Sequence, residues 1–269
     1  NPSYILSTVR GRILLNLLRK FDGVIGLAPV FAEECKNFQI NCHVITLPNF
    51  MAIPQLEKEE GKDQIQSSRY SLQIPSDAFT LLYVGVAHKR KGLDVLVDAF
   101  IELSSKHSNM RLIIIGPKDN TENEFLEDDF IPNITKKITD AKLEKQVVWT
   151  GIISDLNELT KYYWASDIFV LPTRSEGMPN VLIEALYSGL PVIISYLPGI
   201  TDTVIKDGEN GFLIPVNDVN GFVESIELLI NDQNLNNKMS KNSRQKAVEL
   251  FGFDQHCTKL KNFYVEVMK

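Results

Sequence analysis

Paired cysteines are missing from this chain. It carries three, Cys35, Cys42 and Cys257, with neither the even count of a disulfide framework nor the close spacing of a zinc site. That excludes a small disulfide-stapled scaffold and points to a reducing, cytosolic compartment. Long apolar runs are missing too: none approaches the ~18 residues of a membrane span. There is no basic excess. The net charge is −6 at pH 7, which argues against nucleic acid as a partner, because that partner needs a broad basic face. Two glycine-rich fingerprints are also absent. Without GxGxxG after the first strand of the complete domain, an NAD-type site is disfavoured, and without GxxxxGK[ST] a P-loop enzyme is too. The kinase signature set is likewise absent.

What the chain does have is alternation. Apolar runs rich in Val, Ile and Leu predict strands at Val24–Leu27, His43–Leu47, Thr80–Val86, Arg111–Ile115, Val147–Thr150, Ile168–Leu171, Val192–Ser195 and Phe212–Ile214. Amphipathic stretches between them, such as Gly92–Lys106, Leu156–Ala165, Val181–Ser188 and Gly221–Ile230, predict crossover helices. This is the βα pattern of a parallel sheet, and the continuous apolar strands imply burial on both faces. A domain boundary is expected over residues 55–77, where the charge run Glu57–Lys62, Ser67-Ser68 and Pro75 interrupt the pattern. Residues 78–250 then make one complete doubly wound α/β domain. Residues 1–54 hold only two strands and two helices, too little for a second such domain of roughly 100 residues, so an N-terminal part is expected to be absent. The acidic segment Glu122–Asp129 reads as a solvated loop. The basic-apolar stretch Arg10–Lys20 reads as a core-facing amphipathic helix, with an anionic membrane surface as the alternative.

Three strand-to-helix turns are the candidates for chemistry, each with a plainer alternative: a solvated basic loop for the first, an exposed surface helix for the second and ordinary turn chemistry for the third. The first, Tyr83-Val-Gly-Val-Ala-His-Lys-Arg-Lys-Gly92, leaves the domain's first strand through Gly85 and offers Lys89, Arg90 and Lys91 just before a helix. Cations beside a helix N-terminus suit a phosphate group. His88 is the one histidine in such a loop; His43, His107 and His256 read as surface or packing residues. The second turn holds Glu176, Gly177, Pro179 and a helix opening at about Asn180. On that helix Asn180, Glu184 and Ser188 share a face at i, i+4 spacing, while Val181, Leu182, Ala185 and Leu186 suit packing on the sheet. Glu184 is therefore expected at the cleft outside the carboxyl ends of the strands. Carboxylates are repelled by phosphate, so Glu176 and Glu184 call for neutral hydroxyl-rich partners, and a nucleotide-sugar supplies both phosphates and hydroxyls. The third turn is Pro198-Gly199-Ile-Thr-Asp202, at the same sheet edge.

The segment SDIFVLPTRSEGMPNVLIEALYSGLPVIIS, with Val148-Trp-Thr-Gly-Ile-Ile-Ser154 before it and IKDGENGFLIP after it, resembles the retaining glycosyltransferases of family 4 (glycosyl transferases group 1), which have the GT-B fold. The resemblance covers roughly residues 20–267 and is densest from about 80 to 216. It implies two Rossmann-like domains facing a cleft: residues 1–54 as the remnant of the acceptor-side domain, 78–250 as the nucleotide-sugar domain, and 251–269 as a closing helix that crosses back. It further implies that Glu184 holds the ribose hydroxyls, that Glu176 contacts the donor sugar, and that Lys91 binds the diphosphate and stabilises the leaving group. Glu176 and Lys91 are thus the candidate catalytic residues. Gly85, Arg90, Gly177, Met178, Asn180 and Val181 complete the candidate donor site, the backbone N–H groups near Met178 and Asn180 meeting sugar and phosphates.

No metal and no cofactor are implied. The resemblance further implies a UDP- or GDP-linked donor, a glycan or lipid-linked acceptor, and a cytoplasmic setting with peripheral contact at the inner face of the membrane through the N-terminal part. Two departures stand out. Val86 occupies a position where the family often has Arg, and Pro179 has no N–H to offer, although it suits the first turn of a helix. With half the cleft expected to be missing, the isolated chain is expected to bind nucleotide and transfer sugar poorly. The alternative is a non-catalytic nucleotide-sugar-binding module completed by a partner subunit.

Overall fold

The computed structural model describes residues 8–50, 62–118 and 129–269. Among these residues eight strands form two parallel sheets, with helices between them. The smaller pairs β1 (Gly23–Gly26) with β2 (His43–Thr46), flanked by α1 (Val9–Leu18) and α2 (Pro29–Asn37). The larger contains β3 (Phe79–Val84), β4 (Met110–Ile115), β5 (Val147–Gly151), β6 (Ile168–Leu171), β7 (Val192–Ser195) and β8 (Gly211–Ile214), in the order β5-β4-β3-β6-β7-β8. All its strand pairs are parallel. All four residues of β6 and of β7 are buried, as the uninterrupted apolar runs require for a sheet covered on both faces. The covering helices are α4 (Leu93–Ser104), α5 (Phe130–Asp140), α6 (Leu156–Ala165), α7 (Asn180–Tyr187), α8 (Val219–Asn231) and α9 (Gln233–Phe251).

The strand order matters for function. Successive connections run outward in one direction from β3 to β4 and β5, then return to β6 on its other side. The crevice where an open sheet reverses its winding is the usual ligand site of such folds. Here it lies between the carboxyl ends of β3 and β6.

The stretch read as a linker contains a helix, α3 (Lys62–Ser71). Its sequence has no apolar stripe, and a single side chain anchors it. Arg69, 8% exposed, donates to the carbonyls of Ala165, Ser76 and Ala78, each at 3.0 Å, and to Asp167 Oδ2 at 2.6 Å. Asp167 also accepts from Thr80 N at 2.7 Å, so one buried ion pair ties α3, β3 and the end of α6 together. Most of the charge run before α3 and of the acidic segment before α5 lies outside the described residues.

Helix α9 ends at Phe251, and after Gly252 the chain turns into α10 (Phe253–Val267), which returns to the small sheet. Phe263 lies under Gly23 so closely that a Cβ there would sit 2.5 Å from the ring. Glu266 pairs with His43 at 2.9 Å, and Phe50 packs on Phe253 and His256. The core-facing reading of the N-terminal helix holds for one row of side chains. Leu15 joins Cys35, Phe38 and Ile40 in a small core, whereas Ile13, Leu14 and Leu17 are about half exposed (54%, 50% and 50%). Among the described residues no helix is long and apolar enough to cross a membrane.

Candidate functional site

The three turns singled out in the sequence follow β3, β6 and β7, which are neighbours in the large sheet, so they share one edge. The first two are laced together. Arg174 N donates to Arg90 O at 2.7 Å, Arg90 Nη1 donates to Ser175 O at 2.8 Å, and the Thr173 hydroxyl lies 3.1 Å from Arg90 O. The Arg174 guanidinium grips the Asp94 carboxylate at both oxygens, 2.9 and 2.8 Å, donates to Asn217 Oδ1 at 2.7 Å, and donates to Lys89 O. Gly92 completes the seam. Its φ is +74°, and a Cβ there would fall 1.8 Å from Pro172 O, so both backbone conformation and space require glycine.

Within the first turn a short 3-10 helix spans Lys89–Lys91, capped by His88, whose Nδ1 accepts from Arg90 N at 2.9 Å. The α-helix then begins at Leu93, one residue after Gly92. Tyr83, fully buried, donates its hydroxyl to Val86 O at 3.0 Å and fixes the backbone at the position of the family departure. Burial, with Glu176 and Asp94 nearby, pushes the Tyr83 phenol far above its usual range, so it remains a donor. Gly85 is not needed for its backbone conformation. The tight contact there belongs to Gly116, where a Cβ would lie 2.0 Å from Gly85 O.

Lys91, Arg90 and Glu176 come together. Lys91 Nζ lies 2.6 Å from Glu176 Oε1, the two side chains being 15% and 7% exposed, and Arg90 Nη1 lies 3.6 Å from Oε2. Thr173 Oγ1 is 2.9 Å from the same Oε1. The cation proposed for phosphate is therefore already paired with the carboxylate proposed for sugar, and the pair is nearly neutral as a unit.

Glu184 has a different environment. It is half-buried on α7, and Tyr163 of α6 donates its hydroxyl to Oε2 at 2.5 Å. Among the described residues no Lys or Arg forms an ion pair with it. Burial raises its pKa above the usual carboxylate value, and the Tyr163 hydrogen bond opposes the rise. Pro179 stands at the cap of α7 rather than in its first turn, with no side chain capping the helix. Among the described residues no side chain accepts from the opening N–H groups, and Leu182 N donates to Pro179 O at 3.1 Å. Met178 is buried, Val181 half-buried and Asn180 exposed.

The N-terminal part closes over these turns. Leu27 and Phe31 approach the Gly177 position to 3.9 Å, and Val30 lies 2.9 Å from where a Gly199 Cβ would stand. Asn49 Nδ2 donates to Asn180 Oδ1 at 2.6 Å. A cavity of about 360 Å³ opens beside this bond, lined by Ile25, Leu27, Leu47, Asn49, Asn180 and His256 among others. Sequence reasoning missed Arg174, Asp94, Thr173 and Tyr163. Arg174 could have been noticed as a cation directly behind a buried strand, but nothing in the spacing links Tyr163 to Glu184.

A family model described as "Glycosyl transferases group 1" matches residues 64–246, more than half of the chain. The chain belongs to the glycosyl transferases group 1 family. It is 30% identical over 220 residues to the capsular polysaccharide biosynthesis glycosyltransferase CapM of Staphylococcus aureus, covering 80% of this chain and 53% of that one. It is 37% identical over 130 residues to the UDP-Gal:alpha-D-GlcNAc-diphosphoundecaprenol alpha-1,3-galactosyltransferase of Escherichia coli, covering 48% of this chain and 32% of the relative. The sucrose-phosphate synthase of Thermosynechococcus elongatus has the same α/β fold, with a TM-score of 0.81 at 25% identity, over 96% of this chain and 61% of that structure. The group 1 chain thus spans about half the length, or less, of these two curated relatives. The turns at residues 83–92 and 172–180 both fall within the matched family region.

Proposed function

We propose that this chain carries the nucleotide-sugar site of a retaining glycosyltransferase acting on a glycan or lipid-linked acceptor. The observation that carries the reading is the buried Lys91–Glu176 pair at the winding reversal of the sheet, beside the uncapped start of α7. A donor diphosphate is drawn to that helix end and to the Lys91 ammonium. As Lys91 turns toward phosphate, Glu176 is released to accept hydrogen bonds from the sugar, and Glu184 accepts from the ribose hydroxyls. In the transfer, the bond from the anomeric carbon to the diphosphate oxygen breaks and the pair of electrons leaves with the nucleoside diphosphate. The acceptor oxygen forms the new bond on the same face, and its proton passes to the departing diphosphate oxygen. Lys91 and the α7 N–H groups counter the charge growing on the leaving group, which makes a metal ion unnecessary in this scheme.

The relatives named above are themselves called transferases, which favours the catalytic reading over a binding module. The E. coli relative's name, with its UDP-linked donor and diphosphoundecaprenol acceptor, supports a UDP-sugar and a lipid-linked glycan as the first pair to try. A cytoplasmic setting with peripheral membrane contact through α1, where exposed Ile13, Leu14 and Leu17 stand beside Arg10 and Arg12, belongs to the same proposal. Transfer also needs the acceptor held in near-attack geometry. The acceptor-side sheet has two strands among the described residues, so the isolated chain is expected to bind donor and turn it over slowly. Titration with UDP and GDP in EDTA, and assay with UDP-sugars, test both parts: absent nucleotide binding contradicts the site, and ordinary enzyme rates contradict the slow turnover.

A further inference from the structure

The Tyr163–Glu184 contact has no role in the scheme above. Tyr163 is 1% exposed and packs near Phe169 of β6, ring centres 6.3 Å apart. Its hydroxyl reaches Glu184 Oε2 across the two helices that flank that strand, α6 and α7. The phenol is held at one end by the core and meets the site at the other. β6 leads into the turn that carries Glu176 and then into α7, so Tyr163 ties Glu184 to the helix on the other flank of that strand.

We infer that Tyr163 is the positioning residue that makes the site select ribonucleotides. It holds one oxygen of Glu184, leaving Oε1 to accept from the ribose diol, an inference that rests on the ribose role given to Glu184 above. Three observations carry it. The carboxylate is paired with a neutral hydroxyl rather than a cation, unlike Glu176, so no ammonium or guanidinium competes with a neutral donor for its other oxygen. The bond is short, 2.5 Å, as expected for a hydroxyl bound to an ionised carboxylate. Burial and the neighbouring carboxylate push the Tyr163 phenol well above its usual range, so it stays protonated and donates to Glu184 at every working pH. A carboxylate on a half-buried helix face without this tether samples several rotamers, and each rotamer away from the diol lowers affinity.

The test is calorimetric titration of the full chain, as wild type, Tyr163→Phe, Glu184→Ala and the double variant, with UDP, GDP and their 2′-deoxy counterparts. Tyr163→Phe keeps the ring and its packing, and thermal melts verify that each variant folds. The expected result is a ribose preference in the wild type that falls about tenfold in Tyr163→Phe, the usual scale for one charge-assisted hydrogen bond. Binding of the deoxy ligands stays nearly unchanged, and Tyr163→Phe adds nothing in the Glu184→Ala background. If Tyr163→Phe keeps the full preference, or weakens ribo and deoxy ligands alike in both backgrounds, Tyr163 is a structural residue and the inference fails while the ribose role of Glu184 stands. If the wild type shows no ribose preference and Glu184→Ala binds as it does, the ribose role itself fails and takes the inference with it.

Discussion

Lys91 and Glu176, 85 residues apart in sequence, meet as a buried ion pair with 2.6 Å between Nζ and Oε1. Breaking such a pair leaves an uncompensated charge, whereas removing both partners is far less costly. Arg90 at 3.6 Å cushions the loss. Lys91→Ala is therefore expected to cost about 1–3 kcal/mol of stability, below the usual ~3–5 for a fully unpaired charge, and Lys91→Ala/Glu176→Ala to recover part of it. Urea denaturation measures both. In binding, Lys91→Ala should weaken UDP far more than UMP, because its proposed partner is the diphosphate.

Glu184 predicts a pH dependence with two opposite signs. Its folded-state pKa lies above the usual 4.5 because of burial, so in the window between the two values the folded protein holds the extra proton. Stability is therefore lost as pH rises through that window. Nucleotide binding is expected to run the other way, since the ribose contact proposed for Glu184 needs the ionised carboxylate, and affinity should fall as pH drops through the raised value. Glu184→Gln should raise the unfolding midpoint at neutral pH while weakening UDP or GDP. Denaturation and titration across mildly acidic to neutral pH check the pair of effects; a variant that loses stability and keeps affinity contradicts them.

Arg174 is expected to act on the donor through the Lys91 turn. Its two bonds to Asp94, its bond to Asn217 and its bond to Lys89 O need a planar fork that lysine lacks. Arg174→Lys should lower nucleotide affinity about tenfold and stability by about 1–2 kcal/mol, the scale of losing charged hydrogen bonds. Titration beside denaturation separates the two.

Gly92→Ala tests the seam between the turns. With φ at +74° and Pro172 O 1.8 Å from the added carbon, backbone strain and a clash against main chain combine, so the cost should exceed ~2 kcal/mol. Poor soluble yield or a strongly lowered unfolding midpoint is the expected outcome. A variant as stable as wild type contradicts this reading of the seam.

The parallel sheet was legible because Ile168–Leu171 and Val192–Ser195 are apolar without interruption, a pattern that only burial on both faces explains. The turns behind those strands were legible as candidates too, since Gly, Lys and Glu cluster there, and the fold brings them to one sheet edge. Other features had no such signal. Arg69 anchors a polar helix through Ala165 O and Asp167, 96 and 98 residues away, and contacts at that range leave no period to read. Tyr163 looks like one more aromatic on an amphipathic helix until the fold brings its hydroxyl to Glu184. The Lys91–Glu176 contact was hidden for the same reason: each residue announced a ligand, and neither announced the other.

Calorimetric titration of the chain with UDP and with GDP in EDTA, beside Glu184→Ala, tests the donor site most directly. Metal-free binding of one nucleotide, sharply weakened by Glu184→Ala, is the predicted result. Absence of binding to either nucleotide, or binding indifferent to Glu184, would contradict it.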